Sequence, residues 1–142
     1  MIRPYAPTDR EAVLAVWSES AAVAYPFWTA AMFERERRAI AEQHLPTVET
    51  WVFEQDGAVV GFISLLGPEV GGLFVTPQCQ GQGIGRALVD WARRSRDHLE
   101  LDVFEANVIG RAFYQRYGFE GVGEGWDPAT GQKVIRLRLG ST

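Results

Sequence analysis

Residues Thr76 to Ala87 (TPQCQGQGIGRA) place glycines at 81, 83 and 85, after an apolar run and before a helical one. Alternating glycines let a turn present successive N–H groups with no Cβ to hold an anion away. A helix beginning there adds its partial positive charge. The chemistry this suits is recognition of a phosphate or pyrophosphate; a tight strand-to-helix turn with no ligand is the other use of the same glycines. Two phosphate-binding patterns do not fit. The P-loop needs Gly-Lys-Ser/Thr, and the only lysine in the chain is Lys133. The dinucleotide fingerprint needs G-x-G-x-x-G in an opening βα unit, whereas the spacing here is G-x-G-x-G in mid-chain.

The elements that must hold this loop follow from periodicity and turn chemistry. Met1 to Pro4 is a short first strand. Thr8 and Glu11 match a capping box, and Val13, Leu14, Trp17 and Ala21 then share one helical face as far as Tyr25-Pro26. A second helix spans about Phe27 to Gln43; its charge cluster Glu34 to Arg38 has mixed signs and reads as a solvated face. The period then becomes strand-like. Val48 to Glu54 and Ala58 to Leu66 flank Asp56-Gly57, a hairpin turn. Glu69 to Val75 is a third strand, in which Gly71-Gly72 points to a bulge or a close backbone approach. Ile84, Ala87, Leu88, Trp91 and Ala92 mark an amphipathic helix. Leu99 to Phe104 is a strand, and Val108 to Tyr117 a helix stopped at Gly118. Strands Phe119 to Trp126 and Lys133 to Leu139 close the chain. The order β-α-α-β-β-β-α-β-α-β-β describes an α/β or α+β sheet with helices on both faces.

Composition sets the outer bounds. A chain of 142 residues, 46% hydrophobic, fits one domain spanning residues 1–142. Cys79 stands alone, so no intramolecular disulfide exists, and the distant pair His44 and His98 speaks against a metal site. No apolar run reaches about 18 residues and the start lacks a basic-then-apolar leader. The expectation is a cytoplasmic protein with no membrane partner. A formal charge of −4 argues mildly against nucleic acid. All 15 glycines lie after residue 56, so the glycine-free segment reads as helical cover plus one strand, and the glycines as turns of the sheet and a loop of close backbone approach.

Two blocks carry a family resemblance. Gln80-Gly81-Gln82-Gly83-Ile84-Gly85 matches the Gln/Arg-x-x-Gly-x-Gly/Ala motif of the GNAT acetyltransferases, and Leu73 to Pro77 before it resembles that family's central strand. Asn107, then Ala112-Phe113-Tyr114 and Gly118-Phe119, resembles its "N…A…FY…GF" region. The element order is similar over nearly the whole chain. The resemblance implies a mixed central sheet of six to seven strands flanked by four helices, and direct transfer of acetyl from acetyl-CoA to a primary amine acceptor: a small molecule, a peptide N-terminus or a protein lysine.

It also implies roles. The pantetheine arm would pair with the backbone of Leu73, Phe74 and Val75, where an N–H near Phe74 would polarise the thioester carbonyl. Gln80, Gly81, Gln82, Gly83, Ile84, Gly85 and Arg86 would hold the pyrophosphate, and Asn107 would bond the pantetheine arm or cap its helix. Tyr114 would be the general acid for the departing thiolate, with Tyr117 its competitor. Asp102 matches a strand position where relatives carry a glutamate base; Glu105 and Glu69 are alternatives. Tyr25, Phe27 and Trp28, with Trp51, form an aromatic set that lines an acceptor pocket or belongs to the core. A CoA-binding sensor without transfer activity is the alternative function. The chain is expected as a monomer or a homodimer.

Overall fold

The computed structural model describes residues 1–140. Seven strands form one sheet: β1 (Ile2–Pro4), β2 (Glu49–Gln55), β3 (Ala58–Leu66), β4 (Glu69–Val75), β5 (His98–Phe104), β6 (Glu120–Trp126) and β7 (Lys133–Gly140). The four α-helices are α1 (Arg10–Ala24), α2 (Ala30–Ala39), α3 (Ile84–Arg93) and α4 (Val108–Tyr117). The element order is the one expected from the sequence. Across the sheet the strands run β1-β2-β3-β4-β5-β7-β6, antiparallel except for β4 beside β5.

Alternation along the strands builds two cores. Val52, Phe62 and Phe74 stand in one cross-strand row, covered by Val13, Val16, Trp17 and Ala21 of α1. Ile63 and Leu73 face the other way, under Ile84, Leu88, Val89 and Ala92 of α3, with Leu99, Leu101 and Leu137 extending that core. Ile63 and Leu88 are fully buried, each contributing about 1.5–3 kcal/mol of hydrophobic stabilisation. Gly61 lets α3 sit close on β3: a Cβ there would lie 3.1 Å from Ile84 Cγ2 and 3.4 Å from Leu88 Cδ1.

The Gly71-Gly72 pair does mark a bulge. Ser64 pairs with Gly72 and Leu65 with Val70, leaving Gly71 as the extra residue. Val70 and Leu73 thereby reach the same core despite their odd spacing. Asp56-Gly57 forms the β2–β3 turn with both residues at positive φ, 52° and 79°.

Two local expectations are corrected. The Thr8–Glu11 capping box does not form. Asp9 takes the role, accepting from the Ala6 N–H at 2.9 Å and from both guanidinium nitrogens of Arg3 at 2.8 and 2.9 Å. This half-buried ion pair holds the Asp9 carboxyl below its usual range and sets the helix start one residue later. The second helix starts at Ala30 rather than Phe27, because Thr29 Oγ1 caps it by accepting from Met32 N at 3.2 Å. It ends in a wide turn, Ile40–His44, closed by Leu45 N donating to Ile40 O at 2.9 Å.

Candidate active site

The sheet is open in its middle. β4 and β5 pair only at Glu69 and Glu100, with Glu100 N donating to Pro68 O at 2.9 Å. Beyond that point the strands diverge around a cavity of about 730 Å³. The backbone of β4 decides what the gap offers. Thr76 N donates to Val60 O on β3 at 2.9 Å. Antiparallel pairing alternates, so Phe74 also turns its N–H and C=O toward β3, whereas Leu73 and Val75 turn theirs into the gap. The gap-facing N–H groups are therefore those of Leu73 and Val75, and the N–H of Phe74 belongs to the ladder.

The glycine loop borders the same cavity. Gly83 is the N-cap of α3 at φ 86°, a left-handed conformation glycine adopts without strain. The first helical bond there runs from Ala87 N to Gly83 O at 3.0 Å. Among the described residues no acceptor is found for the N–H groups of Gly81 through Arg86. Ile84 is 4% exposed, so its side chain anchors the helix while its N–H stays at the open end. These free donors, the helix dipole and the absence of Cβ atoms at 81, 83 and 85 fit a pyrophosphate. The Arg86 guanidinium lies 5.1 Å from the centre of the Tyr117 ring, adding a cation beside the donors. The Gln80 side chain is turned inward, donating to Val75 O at 3.1 Å; Gln82 is exposed.

From the α4 side come Asn107 and Tyr114. Asn107 caps α4, Oδ1 accepting from Gly110 N at 3.0 Å, and its amide nitrogen has no partner among the described residues. Both residues line the cavity. Burial raises the Tyr114 phenol well above its ordinary value, with Tyr25 adding to the effect, so the hydroxyl keeps its proton. Tyr117 instead donates its hydroxyl to the Asp90 carboxylate.

The carboxylates separate. Asp102 lines the cavity on the face opposite Leu101 and Val103, 3.3 Å from Arg136 Nη1. Glu69 is held by Arg136 at 2.7 Å and Glu105 is paired with Lys133 at 3.3 Å; neither lines the cavity. The aromatic set also divides. Tyr25 lines the cavity, while Phe27 and Trp28 stand behind it, packed on Tyr25 and Phe104 with ring centres 4.7–6.0 Å apart. Trp51 lies on the other face of the sheet against Trp91, 5.1 Å away. It is a core residue, placed there by the alternation that sends Val52 toward α1.

Phe104, Ser20 and Trp126 are among the cavity residues that went unforeseen. Phe104 was legible, since it lies two residues after Asp102 and so faces the same side. Ser20, whose hydroxyl is 2.7 Å from Val75 O, and Trp126, exposed at the end of β6, carry no local signal. No helix among the described residues is long and apolar enough to cross a membrane.

Comparison with known proteins agrees with this geometry. Residues 46–121 match the profile of the acetyltransferase (GNAT) domain. The peptidyl-lysine N-acetyltransferase YiaC of Escherichia coli is 32% identical over 131 residues, covering 92% of this chain and 90% of that protein. The solution structure of apo-form YjaB from Escherichia coli superposes with a TM-score of 0.85 at 28% identity, over 99% of this chain and 98% of that one. The PaiA N-acetyltransferase of Thermoplasma acidophilum, solved in complex with coenzyme A, shares the fold with a TM-score of 0.79 at 19% identity, over 96% of both chains. A sheet opened between two parallel strands, a ring of free amides at a helix start and a matching sequence profile together establish that this chain belongs to the GNAT acetyltransferases and is an acetyl-CoA-dependent N-acetyltransferase.

Proposed function

We propose that the acceptor is the side-chain amine of a lysine in a polypeptide, and that the residues bordering the strand gap carry the transfer as follows. The observation that bears most weight is the gap itself, which offers strand-edge N–H groups at one end and an unbonded, proton-retaining tyrosine nearby. When bound, acetyl-CoA supplies an acyl group activated as a thioester. The N–H groups of Gly81 to Arg86 hold its pyrophosphate. Leu73 and Val75 take its pantetheine arm along the open edge, and the free amide of Asn107 bonds that arm from the α4 side. An N–H at this edge stabilises negative charge growing on the carbonyl oxygen. Tyr114 gives its proton to the departing thiolate.

The acceptor enters from the opposite face, past Tyr25, with Phe27 and Trp28 stiffening the wall behind it. Asp102, on that face, accepts the proton of the ammonium through a water, since a carboxylate this short stops before the amine. The lysine assignment is supported by the relatives YiaC and YjaB, both peptidyl-lysine N-acetyltransferases. Coenzyme A release, followed with a thiol reagent, tests it across three sets: lysine peptides with blocked N-termini, peptides with a free N-terminus but no lysine, and small amines. Turnover confined to the first set is expected; turnover confined to either other set overturns the lysine assignment. A domain of this one sheet, acting as a monomer or homodimer, suffices for the scheme.

A further inference from the structure

Two side chains converge on the carbonyl oxygen of Val75, the last residue of β4: Ser20 Oγ at 2.7 Å and Gln80 Nε2 at 3.1 Å. Ser20 is only 5% exposed and belongs to α1, one helical turn before Ala24 and Tyr25. Its oxygen also lies 2.7 Å from Val16 O, yet a hydroxyl has one proton to give. A carbonyl in the middle of a helix has the amide four residues on as its partner. The Val75 carbonyl faces the gap, where no strand pairs with it and its other donor is the longer, exposed contact from Gln80, so it has the greater claim on the Ser20 proton.

This bond changes the character of the open edge. An unpaired strand offers N–H and C=O groups in alternation, and a ligand can dock on it in more than one register. With its carbonyl taken by Ser20 and Gln80, Val75 presents only its N–H. The same bond fastens α1, which carries Tyr25, to the strand end. We propose that Ser20 is a positioning residue for acyl transfer: by occupying the Val75 carbonyl it fixes the register of the pantetheine arm on β4 and sets the acceptor wall relative to it. This rests on the gap being the seat of that arm.

The test compares wild type, Ser20→Ala and Ser20→Thr by calorimetric titration with acetyl-CoA and with adenosine 3′,5′-bisphosphate, which carries phosphates but no pantetheine arm. Ser20→Ala should raise the Kd of acetyl-CoA about fivefold, the weight of one ordinary hydrogen bond, and lower kcat/KM for acetyl-CoA in parallel. The Kd of the bisphosphate should not change, and Ser20→Thr should restore both values. Equal weakening of the two ligands, or no weakening of either, overturns the proposal while leaving the gap as the seat of the arm. A wild type that binds acetyl-CoA no tighter than the bisphosphate overturns the seat itself. Should Ser20→Ala fail to fold, Ser20→Cys keeps the volume with a weaker donor and is read by the same outcomes.

Discussion

The hydroxyl of Tyr117 donates to the carboxylate of Asp90, and this one contact separates two tyrosines that lie three residues apart on α4. Tyr117 is committed to α3, with Arg86 over its ring. Tyr114 keeps a hydroxyl free of protein partners in the cavity wall. The pair thus divides into a residue that ties two helices together beside the glycine loop and one whose hydroxyl has no protein partner among the described residues.

Tyr114→Phe should lower kcat about a hundredfold or more, the lower end of what a general acid contributes, with the Kd of acetyl-CoA changed less than twofold. Tyr117→Phe should act in the opposite sense, weakening acetyl-CoA binding modestly while kcat stays near wild type. Steady-state kinetics with titration of both variants checks this, and an unimpaired Tyr114→Phe enzyme removes that residue from the acid role.

The pH profile carries a second expectation. Burial raises the Tyr114 phenol above the ordinary tyrosine value of about 10, and burial pushes Tyr25 up to about 12. The acid form of Tyr114 therefore persists through the alkaline range, and kcat should show no fall below pH 10 from loss of this proton. A descending limb between pH 8 and 9 that disappears in Tyr114→Phe would contradict the assignment.

Gly83→Ala and Gly85→Ala should both weaken acetyl-CoA, by different routes. At Gly83 the left-handed backbone strains any side chain by about 1–2 kcal/mol and re-aims the amides that follow. At Gly85 a Cβ would press on Phe113 at 3.2 Å, pushing the α3 start away from α4. Losses of about tenfold in affinity with little change in kcat are expected, measured by titration and saturation kinetics.

Gly110→Ala should reverse the usual gain from alanine in a helix, which is about 1 kcal/mol. A Cβ at 110 would lie 2.5 Å from Asn107 Nδ2, so the Asn107 side chain must leave its capping position. The expected result is a lower Tm together with weaker acetyl-CoA binding. A more stable variant with intact affinity would show that Asn107 serves neither purpose.

Asp9 sets the response to acid. Its carboxyl is held below the ordinary carboxylate value by Arg3; a folded-state value below the unfolded one stabilises the protein above the unfolded pKa of about 3.9. That contribution is lost as pH falls through the folded-state value. Asp9→Ala should lower Tm at neutral pH, through loss of the bonds from Ala6 N and the Arg3 guanidinium, and flatten the dependence of Tm on pH below 4.

Much of the site was legible because its signals are local. The glycines at 81, 83 and 85, the apolar strand before them and the amphipathic run after them need only neighbouring residues to declare a glycine loop at a helix start. Asn107 and Tyr114 share one helix with the Gly118 stop, so their spacing survives folding unchanged. The aromatic set stayed open between pocket wall and core for the opposite reason. Tyr25, Phe27, Trp28 and Trp51 look alike as a composition, but strand alternation and the Thr29 cap distribute them between the cavity wall, the layer behind it and the far core.

The sequence by itself determined the order of elements, the hairpin turn and the glycine-rich helix start, and narrowed Gly71-Gly72 to a bulge or a close backbone approach, because each depends on periodicity or backbone freedom within a few residues. Only the tertiary structure decided that β4 and β5 part after Glu69 and Glu100, that Ser20 reaches Val75, and that Tyr117 is taken by Asp90 while Tyr114 is left free. Those contacts join segments 27 to 55 residues apart, and what selects them is the competition among all packed elements for the same buried space and the same donors.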